Sequence, residues 1–357
     1  MWHKYIWIFT SVIVFLASGC SEETRQRLEP TPIAVGSLNQ LAVIADQELW
    51  DSNIGDSIRY YFGSAYPILP QPEPLFDLKH FTPTALIGEP TRKELKAYLV
   101  VSDLSDLNSS TTEMVTKDMG SEKIQRAQED NTFHSIVVKN KWAKNQVLVY
   151  LFADGKKSLA EVMVSRFPAA AKVIQQHYDK QIDATAYLGG TNNTIIKAVQ
   201  ANLGFYLKIP SDFVIATSEN NTMWLRRESD EVSSNLILYK LNYQNQNQFD
   251  KEQIINLRDT LGKYLISTTL PGTYMRTNDK DLPVFIQKIE LSNAYAVEAR
   301  GIWEMQGEFM GGPFISYLVL NEKNNELVFI DAFVFAPSKR KRNYMLQLDH
   351  IVSSLKL

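Results

Sequence analysis

The side chains best suited to chemistry lie on the predicted strands nearest the C-terminus, where they form a candidate polar cluster. Its members are Glu298, Arg300, Glu304 and Asp331. Two carboxylates held at a fixed separation act as acid and base in hydrolysis, so one hypothesis is a hydrolytic site. The other hypothesis is structural, because Asp331 is the only charge in the apolar segment 327–335 and a buried carboxylate requires a partner. We expect Arg300, or else Arg227, to supply that partner, and we assign no catalytic residue.

A run of four cations at the start of the last predicted helix forms a candidate anion-binding site. Its members are Lys339, Arg340, Lys341 and Arg342. Ser338 is predicted to cap this helix, which places the cations in its first turn. A helix N-terminus already carries partial positive charge and free N–H groups, so an anion would be favourable there. A phosphate of an envelope glycolipid is one candidate, and the alternative is a solvated surface balanced by Asp349 or Glu326.

The single cysteine of the chain, Cys20, follows a segment with the three parts of a secretory signal. Lys4 makes its start basic, an apolar run follows over residues 5–17, and small residues precede the cysteine. The apolar run is too short to cross about 30 Å of hydrocarbon. The segment resembles the lipobox of bacterial lipoproteins, with Ala17 where a leucine is usual. The alternatives are a cleaved signal with an incidental cysteine and an N-terminal membrane helix.

The lipobox resemblance implies that residues 1–19 are removed and that Cys20 is acylated, with palmitate among the usual chains. Two or more acyl chains give stable anchoring. No aspartate follows Cys20, so the retention mark of the inner membrane is absent, and residues 21–23 (SEE) resemble a surface-export signal of Bacteroidetes-type lipoproteins. Alternatively, these residues are only a polar tether. We expect an outer-membrane lipoprotein, on the periplasmic or the cell-surface side, with an envelope protein or glycolipid as partner.

Composition argues against several other classes of function. The formal net charge is −3, and removal of Lys4 with the signal makes the remaining chain more negative, which disfavours nucleic-acid binding. The five histidines show no pair at metal-ligand spacing. We therefore expect no nucleic-acid partner, no metal and no cofactor.

Hydrophobic periodicity predicts an α+β fold in two modules of mixed or antiparallel sheet packed with helices. Residues 20–34 are predicted to be a tether, residues 35–183 the N-terminal module and residues 184–357 the C-terminal module. Four prolines between residues 66 and 74 require an extended loop. Pro168 is predicted to begin a second helix after one that covers residues 156–166.

Short motifs spread over most of the chain are shared with a known family. They are residues 41–50 (LAVIADQELW), 71–76 (QPEPLF), 207–210 (LKIP), 224–228 (WLRRE), 300–305 (RGIWEM), 309–314 (FMGGPF) and 336–339 (APSK). In these motifs the chain resembles the DUF4837 family of Bacteroidetes-type envelope lipoproteins, from about residue 35 to the C-terminus. The resemblance implies an envelope lipoprotein, and it supplies no catalytic residue because the family has no assigned activity.

Two functional hypotheses follow from these observations. The first is a non-enzymatic binding or assembly module anchored at the outer membrane. The second is an envelope hydrolase that uses the acidic residues of the C-terminal strands. The two differ in whether Glu298, Glu304 and Asp331 converge on one open pocket.

Overall fold

The computed structural model describes residues 31–219 and 221–357. The predicted signal peptide (residues 1–19), Cys20 and the tether up to residue 30 lie outside the described residues. Within the described part, the chain forms nine α-helices and two β-sheets, which confirms the predicted α+β fold. Among the described helices, none is long and apolar enough to span a membrane.

The N-terminal module is built on a five-stranded mixed sheet. Its strands are β1 (Gln40–Ile44), β2 (Asp77–Phe81), β3 (Ala97–Asp103), β4 (Ser135–Lys139) and β5 (Val147–Ala153). They lie in the order β2-β1-β3-β5-β4, with β4 alone antiparallel to its neighbour. Both faces of β3 and β5 are buried, as expected where helices cover a parallel sheet on both sides.

Six helices pack around this sheet. They are α1 (Gln47–Trp50), α2 (Asn53–Phe62), α3 (Pro83–Gly88), α4 (Ser110–Met119), α5 (Ser121–Glu129) and α6 (Lys156–Ala186). Helices α2 and α6 cover one face, and α3, α4 and α5 contribute to the core on the other. A short 3₁₀ helix, Pro90–Glu94, precedes β3.

The prediction of two helices separated at Pro168 is wrong. Helix α6 is continuous from Lys156 to Ala186, and Pro168 lies inside it. The helix tolerates this proline because tertiary packing overrides local preference: Leu159, Ile174 and Tyr178 are buried against the sheet on both sides of the proline. The predicted module boundary after residue 183 falls in the last turn of the same helix.

The C-terminal module is built on an eight-stranded antiparallel sheet. Its strands are β6 (Val214–Glu219), β7 (Thr222–Glu228), β8 (Ser233–Asn242), β9 (Tyr274–Asn278), β10 (Phe285–Leu291), β11 (Ala294–Gln306), β12 (Gly311–Asn321) and β13 (Glu326–Phe335). The order is β10-β11-β12-β13-β8-β7-β6, and β9 pairs with the far end of β11.

Three helices cover the two faces of this sheet. They are α7 (Asn193–Leu203), α8 (Lys251–Leu265) and α9 (Arg342–Val352), and a 3₁₀ helix, Gln246–Phe249, precedes α8. Helices α7 and α9 pack on one face, and α8 packs on the other. Neighbouring residues account for the ends of α7: Asn192 accepts a hydrogen bond from the Ile195 N–H, and Gly204 ends the helix in the left-handed conformation.

A proline-rich loop, residues 63–76, belongs to the N-terminal module but packs against the C-terminal module. This proline loop connects α2 to β2, yet its Tyr66 and Leu69 are buried in the core of the C-terminal module. The Glu73 carboxylate accepts hydrogen bonds from the backbone N–H groups of Lys341 and Arg342, at the start of α9. A carboxylate at a partly buried helix N-terminus stabilises by up to about 2 kcal/mol. The loop thus positions α9, and with it one wall of a cleft between the modules.

Candidate functional site

The two modules enclose a cleft of about 690 Å³. We call it the inter-module cleft. The proline loop supplies Tyr66, Pro67, Ile68 and Leu75; α6 supplies Gln175 and Asp179; β10 and β11 supply Phe285, Gln287 and Arg300; and the C-terminal helix region supplies Leu346, Asp349, His350 and Ser353. A cleft of this size, with mostly apolar walls and a few convergent polar groups, is typical of ligand sites.

Arg300 is the polar centre of the inter-module cleft. Its guanidinium forms a bidentate ion pair with Glu298, two positions away on the same strand, with one contact of 3.1 Å. It also reaches the Asp349 carboxylate of α9 at 3.2 Å and the Tyr66 hydroxyl of the proline loop at 3.1 Å. One side chain therefore ties together β11, the last helix and the N-terminal module.

The surroundings hold Arg300 charged and the neighbouring phenols protonated. Burial opposes the charge on Arg300, but the hydrogen bonds and charges of its partners raise its pKa overall. Burial raises the pKa of Tyr66 to about 12, although Arg300 pulls it down. Burial, with the Asp349 charge, raises the pKa of Tyr317, whose hydroxyl donates to Asp349 at 2.5 Å. These groups act at neutral pH as fixed hydrogen-bond donors and acceptors.

The open side of the cleft combines apolar surface with negative charge. Phe285 is 50% exposed at the edge strand β10, and Ile68 faces the cleft from the proline loop with a φ of 54°, an unfavourable value for a β-branched residue. Asp179 projects from α6, and among the described residues its carboxylate is bonded only to Gln175 of the same helix, at 3.1 Å. Since Asp179 and Asp349 in the lining outnumber the single charge of Arg300, the cleft favours a cationic group over an anion.

The rim of the cleft contains a second link between the modules. His350 Nε2 lies 3.0 Å from Asp183 Oδ1, and the Lys208 ammonium lies 3.0 Å from the same oxygen. The hydrogen bond from His350, with that from Lys208, lowers the pKa of Asp183. Asp183 belongs to α6, so this contact fixes the position of α9 relative to the N-terminal module.

The predicted pairing of Asp331 with Arg300 is wrong. Asp331 lies opposite Ser316 on the sheet face that α8 covers, and its partner is Arg258 of α8, at 3.0 Å. Both side chains are about 1% exposed. Arg258 also contacts Thr277 at 3.2 Å and stacks on the Phe314 ring at 3.8 Å. Burial raises the pKa of Asp331, and the charge of Arg258 opposes that rise.

The four residues of the candidate polar cluster do not converge. Glu298 and Arg300 lie on the sheet face packed by α9, whereas Asp331 lies on the opposite face. Glu304, farther along β11, pairs with Arg276 of β9 at 2.7 Å. Because the three carboxylates point to different surroundings, they do not form the single hydrolytic site that the hydrolase hypothesis required. Arg227, the alternative partner, instead contacts Gln347 at 2.9 Å and Asp212 at 3.6 Å.

The cationic run before the last helix is not an open anion site. Helix α9 begins at Arg342 rather than after Ser338, so three of the four cations precede the helix. Glu73 takes the place of the expected external anion. Arg342, 2% exposed, and Arg340 pair with Asp77 at 2.7 and 3.1 Å, and Lys339 pairs with Glu231 at 2.8 Å.

The expected balancing groups are engaged elsewhere. Asp349 pairs with Arg300, and Glu326 pairs with Lys240 at 3.3 Å. Sequence reasoning missed Tyr66, Asp349 and His350 as parts of one site because they are far apart in the chain. The signal that could have found Tyr66 was the run of prolines after it, which marks a rigid loop with a structural role.

Two family matches divide the chain. Residues 192–354 match a family described as a domain of unknown function, DUF4837. The DUF4837 match thus covers most of the C-terminal module. Residues 34–186 match a second domain of unknown function, DUF8532. The motifs at residues 41–50 and 71–76 therefore lie within the DUF8532 match rather than within the DUF4837 domain.

Comparisons with solved structures give only weak similarity. LpqN, described as involved in cell envelope biogenesis of Mycobacterium tuberculosis, is 13% identical, with a TM-score of 0.26 over 43% of this chain and 82% of that chain. A variant of the protein Mog1 is 11% identical, with a TM-score of 0.26 over 42% of this chain and 89% of that one. Among curated proteins, none matches the chain.

The Arg258–Asp331 pair yields a stability prediction. Asp331→Ala leaves the Arg258 charge buried without its partner, which costs about 3–5 kcal/mol of unfolding free energy. Joint replacement, Arg258→Met with Asp331→Leu, removes both charges and should recover most of that loss. Urea denaturation compares wild type, Arg258→Met, Asp331→Leu and the double variant as one double-mutant cycle, with Asp331→Ala measured beside them. Arg276→Met, which breaks a half-exposed pair, is the control and should cost less than about 1 kcal/mol. An Asp331→Ala variant as stable as this control would contradict the assignment.

Proposed function

We propose that this protein is a lipid-anchored binding module of the bacterial outer membrane that holds its ligand in the inter-module cleft. The anchor is Cys20, on the sequence evidence of the preceding signal and the small residues before the cysteine. The preorganised Arg300 network beside apolar walls is the observation that carries the binding role. A site fixed by ion pairs and buried phenols binds without first paying to order its own side chains.

The cleft suits a ligand with an apolar body and a basic group. Phe285, Ile68 and Leu346 offer apolar contact, and Asp179 and Asp349 offer carboxylates toward the solvent side. A short segment of an envelope protein that carries a lysine or arginine beside an apolar residue has this chemistry. Binding such a segment would be the role of an assembly or docking factor rather than that of an enzyme.

The anchor is tested with Cys20→Ser. Without the cysteine sulfur, acylation and the lipoprotein-specific cleavage fail, so the variant should lose fatty-acid label and migrate as an uncleaved precursor. Metabolic labelling with an alkyne fatty acid, followed by membrane fractionation, measures both effects. Ser18→Ala keeps the small residue before the cut and is the matched control. Undiminished label in Cys20→Ser would disprove lipidation at this residue.

The binding role is tested with displayed peptides selected on the protein from residue 21 onward. Selected peptides should combine an apolar residue with a lysine or arginine, and their affinity should fall about tenfold or more against Asp179→Lys, because the reversed charge repels the basic group. Phe285→Ser should weaken the same peptides by removing an apolar wall.

Asp154→Lys makes the same charge change at an exposed loop residue outside the cleft lining, and it should leave binding unchanged. Equal affinity for wild type, Asp179→Lys and Phe285→Ser would exclude the cleft as the binding site. Fluorescence anisotropy with a labelled peptide measures all four affinities.

A further inference from the structure

A second pocket, of about 480 Å³, lies at the end of the N-terminal sheet where β3 and β5 begin, opposite the end where the loops after β1 and β3 lie. We call it the lysine pocket. Lys96 immediately precedes β3, Lys139 ends the antiparallel strand β4, and Asn145 lies in the turn between β4 and β5. His177 and Lys180 project from the second half of α6. Strand ends and one helix thus converge on a single concave surface.

The lysine pocket concentrates positive charge on an acidic protein. Three lysines line it, and its described lining contains neither aspartate nor glutamate. Within residues 31–219 and 221–357, no carboxylate lies in ion-pair range of Lys96, Lys139 or Lys180, in contrast to Lys141, Lys156 and Lys208 of the same protein. Like charges that converge without a counter-ion repel one another, so a bound anion would relieve that repulsion.

His177 reports the positive field inside the pocket. Burial lowers the pKa of its imidazole, and the charges of Lys180, Lys96 and Lys139 lower it further, while a hydrogen bond with the Asn145 backbone raises it. Burial also lowers the pKa of Lys96. The Gln181 side-chain amide donates to His177 at 2.9 Å, and its buried oxygen has no hydrogen-bond partner among the described residues.

We propose that the lysine pocket binds a phosphate group. Three ammonium groups without a nearby carboxylate favour an anion, and lysine binds phosphate as a point charge without a demand for planar geometry. The amide groups of Asn140 and Asn145 add neutral donors at the same rim. The site is separate from the inter-module cleft, whose excess of carboxylates repels anions.

The N-terminal segment enters the fold beside the lysine pocket. Ala34 lines the pocket, and its N–H donates to the Lys144 carbonyl at 2.9 Å, next to the β4–β5 turn. Ile33 and Val35, on either side, are 66% and 54% exposed. If Cys20 is the anchor, the residues between it and Thr31 span at most about 40 Å at about 3.5 Å per residue. The phosphate of an anionic lipid head group is therefore within reach, and this choice of source rests on the proposed anchor.

The phosphate site is tested on soluble protein that begins at residue 21, so the result does not depend on the anchor. Inorganic phosphate at about 0.15 M ionic strength should shift the His177 ring resonances saturably and raise the His177 pKa, because the anion offsets the lysine charges. The His177→Gln spectrum assigns the resonances. In Lys139→Gln/Lys180→Gln, both at exposed positions, the phosphate affinity should fall about tenfold or more.

The control is Lys123→Gln/Lys172→Gln, which removes two exposed lysines outside the pocket and should keep wild-type affinity. Failure of phosphate to saturate the His177 shift, or equal affinity in both double variants, would overturn the site. Co-sedimentation with phosphatidylglycerol vesicles, against phosphatidylcholine vesicles, then distinguishes the source. Phosphate binding with vesicle binding supports a lipid head group, and phosphate binding without it supports the site while overturning the lipid source.

Discussion

The contact on which this structure depends is that of Glu73 with the start of α9. Its carboxylate accepts two backbone N–H groups that the helix itself cannot satisfy. Glu73 is buried, as is Arg342, which pairs with Asp77 and donates to the Pro74 carbonyl. A buried carboxylate needs hydrogen-bond donors, and a buried arginine needs acceptors. Glu73 finds its donors in the C-terminal module, and Arg342 finds its acceptors in the N-terminal module, so both contacts hold the two modules together. The surrounding prolines limit the freedom of the loop that carries Glu73.

The inter-module cleft is a consequence of that contact. Once α9 is fixed, Asp349 and His350 face Arg300 and Asp183, and Tyr66 from the same proline loop completes the Arg300 network. The cleft is therefore shaped by both modules, although each module has its own sheet and matches a different family. The carboxylate-rich cleft and the lysine pocket have opposite charge, which permits one chain to hold a basic ligand and a phosphate at separate places.

Local sequence patterns predicted much of the secondary structure, but they did not predict the ion pairs and hydrogen bonds between residues far apart in the chain. Asn192, the apolar face that follows it and Gly204 specify α7 through neighbouring residues alone. Glu73 and Lys341 are 268 positions apart, and Asp331 and Arg258 are 73 apart, so which charge meets which is decided by packing. The apolar residues on both sides of Asp331 placed it correctly in a buried strand, yet they could not tell which helix covers that face. For the same reason, the sequence did not show that Tyr66 and Asp349 contact Arg300.

We expect the proline loop to fix one arrangement of the two modules. Distances between two spin labels test this on protein that begins at residue 21 and so lacks Cys20. The labels are attached to cysteines that replace Lys172 of α6 and Lys288 of β10, both exposed. A single narrow distance distribution is expected in the parent protein, and it should broaden in Glu73→Gln because the neutral side chain holds the α9 N-terminus less strongly. A broad or two-peaked distribution in the parent protein, or no change in Glu73→Gln, would show that the proline loop does not fix the two modules.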